Sequence, residues 1–170
     1  ISGVGLTKST RQNPEVHVLF VDDGSTDGTI EIIQAWAEEH PEFVLLQRKK
    51  SGSGCQRGAA TRAGLEWLLS DEEHQVFVDL DADGAQPPAE LPGGIDQVVS
   101  GAADVVIASK YLRESVVRGR PLIRRLGSRV YNAMLRLLIR GGIRDYSNSY
   151  RFYNRRAAEA LVHFSATYTT

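Results

Sequence analysis

A single cysteine, Cys55, in 170 residues excludes an internal disulfide. Histidine is almost as scarce, and His17, His40, His74 and His163 are too scattered for a zinc site. No basic stretch leads into an apolar run and no apolar run reaches spanning length. Neither a signal peptide nor a transmembrane helix is therefore expected, and the expected location is cytoplasmic, at most at the cytoplasmic face of a membrane. Gly52, Gly54 and Gly58 lack the Lys-Ser/Thr ending of a phosphate-binding P-loop. There is no internal repeat and no long linker. With 42% hydrophobic and 24% charged residues, the chain reads as a single domain, 1–170, around one core.

A net charge of -1 conceals a strong asymmetry. Segment 110–156 holds thirteen of the twenty Lys and Arg but two of the twenty-one acids, so it carries +11 against -12 for the remainder. That split points to an anionic partner for the basic segment and a cation for the acidic part.

Alternating element signals run along the chain. "VHVLFV" at 16–21 is a nearly continuous apolar strand, followed by a helix over 29–40 closed by Pro41. Further strands are expected at 43–46, 75–80 and 104–108. A second helix is expected over 58–69, and a weak one over 90–99, interrupted by Pro92 and Gly93-Gly94. This order predicts an open, mostly parallel, Rossmann-like α/β sheet flanked by helices, with ligands beyond the carboxyl ends of the strands. Trp36 and Trp67 read as packing residues.

Two loops leave strands at one sheet edge. "VDDGSTDGT" places Asp22 and Asp23 at a strand end, either as acceptors for base N–H or ribose hydroxyl groups or as parts of a capped turn. In "VDLDADGAQPP", strand alternation puts Asp79 and Asp81 on one side, and Asp83 continues the series. Carboxylates so crowded must be paired, protonated or metallated, and a hard divalent cation suits their oxygens.

The ordered set "VDDGSTDGT", "SGSGCQRGAATRAGL", "DLDADGAQPPAEL", "ADVVIASKY" and "RDYSNSYRFYNRRAAEAL" resembles the family-2 glycosyltransferases of GT-A fold, above all the dolichyl-phosphate mannosyltransferase and polyprenyl-phosphate sugar transferase branch. The resemblance implies a hexose transferase taking a nucleotide-diphosphate sugar, of GDP-mannose or UDP-glucose type, and a polyprenyl or dolichyl phosphate. It implies Asp22 and Asp23 at the nucleotide; Asp81, Ala82 and Asp83 as a D-x-D segment holding Mg²⁺ or Mn²⁺ and the donor diphosphate; and Lys110 near the donor. Arg151 and Asp145 match the family's D-x-T-S-G-F-R segment, with Arg151 expected to meet phosphate. Arg113, Arg118 and Arg120 fall in the loop that approaches the acceptor phosphate. Asp81, Asp83, Arg151 and Asp145 are thus the expected catalytic set.

This sequence departs from the family pattern in places. The first strand, ending P-x-Y-N-E, has no counterpart in "ISGVGLTKSTRQNPEV", so the sheet is expected to lack it. Ala85 stands where the branch has a metal-binding Gln, with Gln86 one place later. Lys110 replaces an Arg, and "SNSY" replaces a small-Gly pattern. The Q-x-x-R-W motif of processive synthases is absent.

A polyprenyl phosphate is already anionic at neutral pH, so attack on the anomeric carbon requires positive charge more than a general base. Segment 110–156 supplies it, and single displacement with inversion is expected. A helix over 124–140 has Arg125, Arg129, Arg136 and Arg140 in one sector and Leu126, Val130, Ala133, Met134 and Leu137 in another. It reads either as an amphipathic helix at an anionic membrane or as a core helix with a solvated face. Two other classes stay open: an Asp-nucleophile phosphatase or phosphotransferase, and a non-catalytic nucleotide-binding fragment of the fold. No nucleic-acid partner is expected.

Overall fold

The computed structural model describes residues 2–8, 15–49, 57–84, 86–109, 122–138, 143, 145 and 148–167. Residues 1–106 with 150–170 form one compact unit and 107–149 a second.

Six strands form one sheet in the order β3-β2-β1-β4-β6-β5. They are β1 (Ser2–Lys8), β2 (Glu15–Asp22), β3 (Phe43–Gln47), β4 (Val76–Asp81), β5 (Val105–Ile107) and β6 (Arg151–Asn154). Helices α1 (Thr29–Glu39), α2 (Arg57–Leu69), α3 (Leu91–Val99) and α5 (Arg155–Thr167) belong to the first unit, and α4 (Leu122–Leu138) to the second.

Two expectations about the sheet are corrected. It is mixed rather than mostly parallel: β2 and β3 pair parallel, whereas β1 runs antiparallel to both β2 and β4, and β4 antiparallel to β6. The place between β2 and β4 is also filled, by residues 2–8. Its direction follows from chain length, because six residues between Lys8 and Glu15 suffice to join antiparallel neighbours but not to make the dozen-residue crossover that parallel pairing needs.

The reversed strand leaves the site edge unchanged. Ser2 of β1 is opposite both Val21 and Asp81, so β2 and β4 point the same way and end level with one another. Neighbouring strands lie about 4.8 Å apart, which puts the two acidic ends about 10 Å from each other. Arg151 opens β6 opposite Asp79, so its antiparallel strand starts at that same edge.

One face of the sheet carries α2 and α5. Ala60, Leu65 and Leu68 of α2 recur at helical spacing and pack with Leu19, Val21, Phe77, Tyr153 and Ala158 into the main core. A fully buried Leu or Phe of this kind contributes about 2 kcal/mol. By strand alternation Phe77, Asp79 and Asp81 share the α2 face, whereas Phe152 points the other way, against Gly94 of α3.

The expected elements appear with small shifts. Pro92 does not interrupt α3: it sits in the first turn, where its missing N–H is no loss, and Gly94 permits close packing. Trp36 and Trp67 lie at the surface rather than in the core, and Trp36 stacks on His40. The strand β6 and helix α5 were not anticipated, because "RFYN" is short and runs straight into the helix.

Helix α4 starts two residues before the expected 124 and is described to Leu138. Asn132 is completely buried, and its Nδ2 donates to Asp145 within the same unit. On the opposite face Val130, Met134 and Leu137 are exposed, Leu137 at 82%. At Val130, Met134 and Leu137 the stripe is therefore exposed, against the core-helix reading.

Candidate active site

The first acidic loop is built around Asp22. Its carboxylate, 1% exposed, accepts the Gly24 N–H at 2.9 Å, the Ser25 N–H at 3.0 Å and the Ser25 hydroxyl. Burial pushes the Asp22 carboxyl up, but these donors outweigh it and hold the group below its usual range. Gly24 has φ +94°, a left-handed conformation that favours glycine at this tight turn. Asp22 thus shapes the loop, and the next carboxylate, Asp23, meets Arg48 Nη1 at 2.6 Å. Arg48, just past β3, was not singled out from sequence; its N–H also donates to the Asp22 carbonyl.

The second acidic loop continues β4. Asp79 is buried, and its Oδ2 accepts the Thr61 hydroxyl at 3.3 Å and lies 3.8 Å from Arg57 Nη2. Asp81 is bound more directly, with Oδ1 3.0 Å from Arg57 Nη2 and Oδ2 3.4 Å from Nη1. Gln86 holds Asp81 from the other side: its Oε1 accepts the Asp81 N–H at 2.6 Å and its Nε2 donates to Oδ2 at 3.3 Å. A Gln one place later than the family pattern thus still reaches Asp81. Asp83 and Ala82 are exposed in the turn beyond the strand.

Burial raises the Asp79 carboxyl to about 6, against the pull of Arg57 and Thr61 and with a push from Asp81. The unfolded group ionises near 3.8, so between these values the folded chain binds more protons. The stabilising contribution is complete below about 4 and lost as pH rises through 6. Asp79→Asn, uncharged throughout, is therefore expected to gain on the parent by about 2 kcal/mol between pH 4 and pH 8. Urea unfolding in chelator at both pH values checks this, and a constant difference would remove the burial argument.

Arg151 is half-buried opposite Asp79, close enough to favour its ionised form, and it hydrogen-bonds Tyr153. Asp145, 1% exposed, belongs to the second unit with Asn132 as a partner. Lys110, Arg113, Arg118, Arg120, Ala85 and Cys55 lie outside the described residues. The edge formed by the ends of β2 and β4 and the start of β6 therefore gathers Asp22, Asp23, Asp79, Asp81, Asp83 and Arg151, with Arg48, Arg57, Thr61 and Gln86 added by the structure. Arg57 had a signal in the sequence: it is the first cation at the mouth of a helix that follows a Gly-rich stretch.

Among the described residues no three His, Cys, Asp or Glu side chains converge as a ready-made metal cluster. The donor chemistry still fits Mg²⁺ or Mn²⁺, which take one or two carboxylates and complete their shell with substrate phosphate and water. A buried oxygen without a hydrogen-bond partner, Asp79 Oδ1, leaves an acceptor position unused there.

The chain is 38% identical over 148 residues to the polyprenol monophosphomannose synthase of Mycolicibacterium smegmatis, covering 87% of this chain and 54% of that protein. It is 32% identical over 149 residues to the undecaprenyl-phosphate mannosyltransferase of Micrococcus luteus, covering 87% and 58%. Identity is 31% over 149 residues to the undecaprenyl-phosphate 4-deoxy-4-formamido-L-arabinose transferase of Pectobacterium carotovorum, covering 86% and 41%. The chain spans about half the length of these curated relatives. The family profile for glycosyl transferase family 2 matches residues 6–162, and the chain belongs to that family.

Proposed function

We propose that this chain carries the donor site of a divalent-cation-dependent, inverting glycosyltransferase of GT-A type, which moves a hexose from a nucleotide-diphosphate sugar to a polyprenyl phosphate. One observation carries the reading: strand register brings the acidic ends of β2 and β4 level, about 10 Å apart, with Arg151 entering beside them. Two of the relatives named above carry undecaprenyl-phosphate in their names, which supports the acceptor class.

On this reading Asp22 fixes the first loop and Asp23, aligned by Arg48, accepts from the nucleobase or ribose. Asp81 and Asp83 are the residues that would hold the ion, which when bound would supply positive charge against the leaving diphosphate. Gln86 keeps the Asp81 carboxylate in one orientation. Arg151 stabilises phosphate oxygens, and the acceptor's own anionic oxygen attacks the anomeric carbon without a general base.

Among the described residues no helix is long and apolar enough to cross a membrane. The outward apolar stripe of α4, on a helix that also carries Arg124, Arg125, Arg129 and Arg136, fits a lipid surface from which a polyprenyl phosphate is drawn.

The test is GDP and UDP calorimetry with and without Mn²⁺, followed by transfer to polyprenyl phosphate in anionic vesicles. Metal-dependent binding of one nucleotide, co-sedimentation with the vesicles and an inverted anomeric centre by NMR are expected. Absence of any nucleotide signal rejects the donor site; a retained anomeric centre rejects single displacement.

A further inference from the structure

We propose that Arg57 is a resident counter-ion of the donor site: in the donor-free chain its guanidinium supplies the positive charge at Asp81 and Asp79, and a divalent cation must displace it to enter. This rests on the reading of Asp81 as an ion-holding carboxylate and adds a residue that sets the affinity of that site.

Three features support it. First, Arg57 addresses both acids at once, with Nη2 3.0 Å from Asp81 Oδ1 and 3.8 Å from Asp79 Oδ2. It crosses from the first residue of α2 to the end of β4 to do so. Secondly, the fork on Asp81 is only half bonded: Nη1 donates to Oδ2 at a long 3.4 Å, whereas buried Nη2, though 3.0 Å from Oδ1, has no hydrogen-bond partner of good geometry, and neither has Asp79 Oδ1. A guanidinium built as a permanent brace forms parallel, bidentate bonds to its carboxylate. Here charge is balanced while hydrogen-bonding capacity is wasted, so release is easier than for a brace. Thirdly, Asp81 does not depend on Arg57 for its position, because Gln86 holds both its N–H and its Oδ2. When the guanidinium leaves, the carboxylate stays aimed.

The side chain is 38% exposed, so a route outward exists. Two cations close to the same carboxylates repel, and binding of one weakens the other reciprocally. Arg57 therefore lowers the affinity of the empty site for free metal while preventing like-charge repulsion between Asp79 and Asp81.

The experiment is Mn²⁺ binding followed by electron paramagnetic resonance of the free ion, for the unaltered chain, Arg57→Gln and Arg57→Lys, each alone and with GDP or UDP. Arg57→Gln is expected to bind Mn²⁺ about tenfold more tightly than the unaltered chain. In chelator it should also melt lower, with Mn²⁺ restoring the loss; Arg57→Lys should stay near the parent on both measures. Equal or weaker Mn²⁺ binding by Arg57→Gln overturns the proposal while leaving the donor site standing. No Mn²⁺ binding by any of the three proteins, with either nucleotide, rejects the ion site itself and this role with it.

A measurement on the unaltered chain keeps the proposal testable if Arg57→Gln does not fold. Mg²⁺ with the bound nucleotide should move the Arg57 Nε–H resonance toward that of a free guanidinium. An Arg57 resonance that stays in place while Asp81 and Gln86 respond overturns the displacement.

Discussion

A Gly94→Val chain is expected to lose about 3 kcal/mol or more of stability, enough to lower its melting temperature by about 10 °C. An ideal Cβ at Gly94 falls well inside contact distance of the Phe152 ring, 2.6 Å from Cε1, with Cζ and Cε2 also in the way. Phe152 is fully buried on β6 and hydrogen-bonded into the sheet between β4 and β5, so its ring has no free space to retreat into. The helix propensity regained by removing a glycine, about 1 kcal/mol, is too small to offset the clash. Melts followed by circular dichroism test this. A double variant that also carries Phe152→Leu should recover part of the loss, and a single variant that melts with the parent would refute the close approach of α3 to β6. The same replacement tests the site indirectly, because Arg151 is the neighbour of Phe152 and its placement follows from that packing.

The second large effect concerns Asp81. Asp81→Asn is expected to lower metal-dependent transfer by about two to three orders of magnitude while melting within a few degrees of the parent. Asn keeps the shape and can still meet Gln86, but it removes the negative charge that faces Arg57 and that, on the proposed reading, would draw in a cation. Nucleotide calorimetry provides the control: Mn²⁺-dependent binding of GDP or UDP should weaken together with transfer. Full transfer by Asp81→Asn would remove this residue from the chemistry. Loss of transfer with unchanged metal-dependent nucleotide binding would move its role from holding the ion to the reaction itself.

What the sequence made legible follows from how local each feature is. Strand β2, helices α1 and α2 and strand β4 are marked by apolar periodicity and by punctuation at Gly28, Pro41 and Gly84, and they formed close to the expected bounds. The level ends of β2 and β4 were also foreseeable, because two acidic loops each follow an apolar strand. Strand direction was not. Nothing in "SGVGLTK" alone tells whether it pairs, and its orientation depends on the length of the link to β2, a property of two elements jointly.

Individual carboxylates were harder to distinguish. Asp22 and Asp23 are adjacent and chemically identical, yet the first is bonded within its own turn and the second is held by Arg48, just past β3. Only the first of these pairings is local. Arg57 is 24 residues from Asp81 and reaches it through the stacking of α2 on the sheet, which spacing does not reveal. The exposed stripe of α4 illustrates the same limit: periodicity located both faces of the helix, but which one is covered depends on Asn132 meeting Asp145.

The reversed strand at the centre of the sheet has a mechanical consequence. Within the sheet it is the strand through which the β2–β3 half is hydrogen-bonded to the β4–β6–β5 half, and it has glycine at positions 3 and 5. A slip of two residues on one of its sides would shear the paired acidic tips by about 7 Å relative to each other, with both halves intact. The spacing of the two charged jaws therefore depends on a strand that contributes a carboxylate to neither.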